Sequence, residues 1–97
     1  MEQDCAYKTL EARFRQIALY GEVASVLHWD AATMMPPDGA SPRGEQLSEL
    51  RVLRHRAVTA ADMADLFSAA EQEDLDPWQR ANLREMRRDH RFATALP

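Results

Sequence analysis

Apolar side chains recur along this sequence at steps of three and four, the period of a helix buried on one face. The first such segment spans about Asp4 to Thr33, with a stripe of Tyr7, Leu10, Phe14, Ile17, Gly21, Ala24, His28 and Ala31. Its second half is apolar on most sides, because Val23, Val26, Leu27 and Trp29 lie off that stripe. A helix apolar all round is expected to be covered all round. Met34 to Gly39 interrupts the pattern: Pro36 and Pro37 lack amide donors, and Asp38-Gly39 reads as a turn. A second helix is expected from Ser41, an N-cap with Pro42 after it, to about Ala57, with Leu47, Leu50, Leu53 and Ala57 inward.

Thr59 reads as the cap of a third helix, with Asp62 three residues on and Met63, Leu66, Phe67 and Ala70 as its apolar face. The acidic stretch Glu71 to Asp76 reads as a solvated linker. Asp76-Pro77-Trp78-Gln79 is a strong start signal for a fourth helix, which runs to about Ala95 with Leu83, Met86, His90 and Ala93 on one face. β-branched residues are scarce and never alternate with polar ones, so no strand is expected. The predicted fold is all-α, a small antiparallel assembly of about four helices, since short connections favour antiparallel neighbours. Gly21, a costly residue inside a helix, is expected to permit a close helix crossing.

Composition narrows the function. Ninety-seven residues suit one small domain over 1–97, with 45% hydrophobic and 29% charged residues. A net charge of −4 argues against a dedicated nucleic-acid binder. Cys5 is the only cysteine, so no internal disulfide or cysteine-based zinc site can form, and an intracellular setting is expected. No apolar run approaches the ~20 residues of a membrane span, and the polar first residues are unlike a secretory leader. Pro97 follows the apolar Leu96 without a polar tail. Together with the all-round apolar second half of the first helix, this leads us to expect covering surface outside these residues.

No complete catalytic or metal site can be assembled from these residues. His28, His55 and His90 form no i, i+4 pair, and a zinc site needs three or four convergent ligands. His28 and His90 lie on inward stripes and read as core histidines. Cys5 has no activating neighbour, and no phosphate-cradling glycine loop occurs. The most ordered charge feature is Arg80, Arg84, Arg87 and Arg91 on one face of the fourth helix, bordered by Arg88. This is a candidate stripe for anions or for ion pairs, with a solvated or ion-paired face the favoured reading and bidentate anion binding the sharper one.

One pattern goes beyond periodicity. Leu27-x-Trp29-Asp30-x-x-Thr33-x-Met35-Pro36 is followed by Gly39-Ala40-x-x-Arg43-x-x-Gln46, then by Leu50-x-x-Leu53-x-His55 and Thr59. Gln79-x-Ala81-Asn82-Leu83-Arg84-Glu85-Met86-Arg87-Arg88 then leads to Thr94-x-Leu96-Pro97. From about Tyr7 to Pro97 this resembles the N-terminal region of the carboxypeptidase Taq family, the thermostable metallocarboxypeptidases. The resemblance implies an enzyme about five times longer and almost wholly helical, which removes single residues from peptide C-termini. It implies zinc or cobalt held by an H-E-x-x-H helix and a downstream Glu, and a cytoplasmic homodimer whose N-terminal helices form a wall or lid of a deep cleft.

The H-E-x-x-H motif is absent here, so no catalytic or metal residue carries over, and this chain is expected to bind no cofactor and to be inactive alone. Trp29, Asp30, Thr33, Met35, Pro36, Arg43 and Gln46 carry over as a structural signature. In that reading Trp29 packs in the core, Asp30 or Thr33 ties down the helix end, and Met35-Pro36 sets the following turn. The expected partners are the remainder of a carboxypeptidase chain and a second copy, with peptide bound only by the full-length enzyme and neither nucleic acid nor membrane engaged. The alternative is a stand-alone helical protein-interaction or dimerisation module.

Overall fold

The computed structural model describes residues 5–33 and 40–95, with side chains placed for 5–30 and 42–95. Four helices follow one another: α1 (Ala6–Thr33), α2 (Ala40–Val58), α3 (Met63–Glu71) and α4 (Pro77–Ala95), with no strand among the described residues. The all-α reading holds. α1 and α2 form a long antiparallel hairpin; α3 packs on α1, and α4 packs on α2 and α3 and reaches Tyr7 of α1 through Asn82.

That arrangement places the core at one end. Tyr7, Leu10 and Ile17 of α1 are buried against Val58, Met63, Phe67, Ala70, Leu83 and Met86. Phe14 and His90 both meet the ring of Phe67, at centroid distances of 6.2 and 5.3 Å. The Tyr7 hydroxyl, buried with its ring, accepts a hydrogen bond from Asn82 Nδ2 at 3.0 Å, so its polar end is satisfied. The rest of the hairpin projects from this core, giving extents of 53 × 26 × 26 Å. The radius of gyration is 16.6 Å, against about 13 Å for a compact chain of this length.

The projecting half departs from the sequence expectations. The stripe on α1 is buried at Tyr7, Leu10 and Ile17, half-buried at Phe14, Gly21 and Ala24, and exposed at His28. Trp29 is 59% exposed and not a core residue. Leu53 of α2 is exposed as well, while Leu47 is buried and Leu50 and Ala57 are half-buried. A helix-period pattern identifies an apolar face, but here the face outruns the partners available to cover it.

Gly21 does not mark a tight crossing. A β-carbon added there would meet nothing nearer than Arg54 Nε at 4.0 Å, an ordinary contact. The start of α3 also differs. The Thr59 hydroxyl donates to the His55 carbonyl at 2.7 Å and so closes the last turn of α2. α3 begins four residues later, at Met63, and Asp62 at its N-cap position makes no side-chain cap bond. Asp62 is taken instead by Arg13 in a bidentate pair at 2.6 and 2.8 Å. The start of α4 is as read: Asp76 Oδ1 accepts from Gln79 N–H, and Gln79 Oε1 accepts from Asp76 N–H, a reciprocal capping box.

Candidate functional site

Three polar arrangements could carry function, and each is built where helices end or meet. The first joins the two arms of the hairpin. Asp30, near the end of α1, accepts from Arg43, near the start of α2, at 2.9 Å, and both side chains are about one-third exposed. Arg43 also donates to Gln46 one turn on, which fixes the guanidinium between two acceptors. Asp30, Arg43 and Gln46 are thus brought together from the signature residues. Trp29 precedes this clasp on the exposed side. Thr33 is the last residue of α1, its side chain outside those described, and Met35 and Pro36 lie outside the described residues. Beside the clasp runs an open groove of about 440 Å³ lined by Leu27, Pro42, Glu45, Gln46, Glu49 and Leu50.

The second arrangement overturns the reading of Glu71 to Asp76 as a solvated linker. Glu73 accepts from the amides of Ala6 and Tyr7 at 2.7 and 3.0 Å and from the Cys5 thiol at 3.0 Å. It therefore caps the first turn of α1 from the α3–α4 connection. A carboxylate there satisfies otherwise open amides and meets the positive end of the helix dipole. The Cys5 hydrogen bond, opposed by partial desolvation and aided by the two amides, holds the Glu73 carboxyl below its ordinary range. No local sequence signal announces this cap, since donor and acceptor lie more than sixty residues apart. Glu71 is equally occupied, paired with Arg87.

The third is the arginine row of α4. Arg80 donates to the Glu73 carbonyl at 2.7 Å, and Arg87 pairs with Glu71 while its guanidinium lies 5.7 Å from the Phe67 ring centre. Arg88 meets Glu85 at 3.3 Å, an exposed pair within the helix. Arg84 and Arg91 are exposed. The row thus divides into members turned to the α3–α4 connection and members facing solvent. Arg87 also acts on His90: burial first, then the nearby guanidinium, pushes the His90 pKa below its usual value.

These arrangements organise helices. The described residues hold no group of three His, Cys, Asp or Glu side chains able to share a metal ion. His28, His55 and His90 sit on three different helices, the first two exposed and the third against Phe67. No described residue is therefore assigned to a metal centre. No helix among the described residues is long and apolar enough to cross a membrane.

Residues 9–97 match the Carboxypeptidase Taq (M32) metallopeptidase family. Thermostable carboxypeptidase 1 of Pyrococcus furiosus is 32% identical over 96 residues, which cover 98% of this chain and 19% of that protein. Among solved structures, metallocarboxypeptidase 1 of Trypanosoma cruzi superposes with a TM-score of 0.91 at 40% identity, over 95% of this chain and 20% of that one. The Pyrococcus furiosus carboxypeptidase in its apo-Mg form superposes with a TM-score of 0.85 at 32% identity, over 99% of this chain and 20% of that one. The chain belongs to the carboxypeptidase Taq (M32) metallopeptidase family. It spans about one-fifth of the length of these relatives.

Proposed function

We propose that this chain forms the N-terminal helical wall, or lid, of the cleft of a metal-dependent carboxypeptidase that removes C-terminal residues from peptides. In this reading the catalytic groups and the zinc or cobalt ion belong to sequence beyond these 97 residues, and the chain alone has no hydrolytic activity. The observation that carries the proposal is the uncovered half of the hairpin. Leu19, Val23 and Val26 share one face of α1 at steps of four and three, with Trp29 beside them, and all four are exposed. An apolar strip of this kind on a soluble chain marks a surface meant for another surface. A family member with four-fifths of its length elsewhere supplies one. The same reading places the enzyme in the cytoplasm as a homo-oligomer.

The test is a chimera in which this chain replaces the matching segment of the Pyrococcus furiosus thermostable carboxypeptidase 1. Release of the C-terminal residue from a blocked dipeptide by the metal-loaded chimera supports the wall. A folded, metal-loaded but inactive chimera, together with a well-behaved isolated chain that captures a different protein partner, favours the stand-alone interaction module.

A further inference from the structure

α4 carries an arginine row that helix packing uses only in part, through Arg80 and Arg87. Arg80, Arg84, Arg87, Arg88 and Arg91 span an arc of roughly 100° on a helical projection and rise about 16 Å along the axis. Two adjoining grooves open on this arc. One, of about 300 Å³, is lined by Arg80, Arg84 and Arg87 with Leu83 and Glu71; the other, of about 340 Å³, by Arg84, Arg87, Arg88 and Arg91 with Glu71 and Glu85. Arg84, Arg87 and Glu71 are common to both.

Counting charges over the two linings, five arginines against Glu71 and Glu85 leave +3, on a chain whose net charge is −4. Like charges at helical spacing repel, and Glu71 and Glu85 offset only part of this row. Two members are already held in place, Arg80 by the Glu73 carbonyl and Arg87 by Glu71 and Phe67. Fixed guanidiniums lose less freedom when they bind, and each has donors left over in the fork that matches phosphate or carboxylate oxygens. Arg84 sits between them, exposed and lining both grooves.

We propose that this face of α4 is a binding site for a compact polyanion bearing two or more phosphate or carboxylate groups, with Arg84 as its central contact. Arg80 and Arg87 flank it, Arg91 extends the row beyond Arg87, and Leu83 forms the apolar floor beside Arg80. The site is separate from the hairpin strip and does not depend on the carboxypeptidase reading.

The test titrates the 97-residue chain with pyrophosphate and, in parallel, with citrate, following the arginine Nε–H signals by NMR and the heat of binding by calorimetry. At least one anion should shift the Arg84, Arg87 and Arg91 signals at millimolar concentration or below, with binding that weakens as salt rises. Arg84→Gln should weaken it by about tenfold or more, the scale of one lost charge-assisted contact. Arg84→Lys should fall between, because the charge stays and the fork is lost. Arg15→Gln, an exposed arginine on α1, should leave binding unchanged. Arg91→Gln repeats the test should the Arg84 variant lose its helical circular dichroism. The tighter of the two anions names the phosphate or the carboxylate source. No shift with either anion, or equal weakening by Arg15→Gln, overturns the proposal.

Discussion

Asp30 near the end of α1 and Arg43 near the start of α2 close the hairpin with an ion pair at 2.9 Å, partly shielded from solvent. The pair spans the Pro-rich connection and fixes how the two long helices enter and leave it. Screening by water limits its strength: pairs of this exposure contribute about 0.2–1 kcal/mol. A double-mutant cycle with Asp30→Ala and Arg43→Ala should return a coupling energy in that range, and each single variant should lower the melting temperature. A coupling of zero in denaturant titrations would show that the pair does not hold the hairpin.

Glu73 should matter more than its place in an acidic loop suggests. Glu73→Ala removes three hydrogen bonds to residues 5–7 at once, and loss of a helix cap costs about 0.5–2 kcal/mol. Amide exchange in the first turn of α1 should accelerate in the variant more than exchange in α2. Because the folded pKa lies below the ordinary carboxyl value, the cap stabilises fully above that ordinary value, 4.5, and its contribution is lost as pH falls through the lower folded pKa. The stability gap between wild type and Glu73→Gln should therefore be widest near neutrality and close in acid. A gap that does not change with pH would contradict the cap.

His90 offers a pH test in a higher window. Its cation is disfavoured by burial first and by Arg87 second, so its folded pKa lies below 6.5. The unfolded chain then binds the proton more readily, and stability contributed by this site is lost as pH drops below 6.5 toward the folded value. An NMR titration should place the His90 midpoint below 6.5. Arg87→Gln should raise it part of the way, since burial remains. A midpoint unmoved by Arg87→Gln would remove the guanidinium from the explanation.

Gly21→Ala should stabilise the chain by about 0.5–1 kcal/mol, the difference in helix propensity. Its backbone is not in a left-handed conformation, and the new methyl group meets only an ordinary contact with Arg54. Denaturant midpoints of the two chains measure this directly. A destabilised Ala variant would mean that Gly21 serves a close approach after all.

What was legible in the sequence was local. The Asp76-Pro77-Trp78-Gln79 start of α4 and the inward faces of α3 and α4 rest on neighbours within a turn or two, and each stands in the structure. The failures were long-range. Thr59 carried the right chemistry for a cap, but its hydroxyl turns back to His55. Asp62 was claimed by Arg13 from another helix, and Glu73 by the start of α1. His28 and Trp29 are exposed because they lie on the half of the hairpin beyond the core, which periodicity cannot reveal. Asp30, Arg43 and Gln46 were singled out by family resemblance, and their spacing gave no sign that they meet.

Val26 tests the central claim, that the exposed strip on α1 is a surface covered by the rest of a carboxypeptidase. It is 65% exposed in this chain, so Val26→Asp should leave the melting temperature of the isolated chain nearly unchanged. In the chimera with the Pyrococcus furiosus enzyme the same substitution should bury a carboxylate against apolar surface and lower the melting temperature by several degrees, with loss of peptide hydrolysis. An equal, negligible effect in both proteins would mean that the strip stays in water, and would contradict the account.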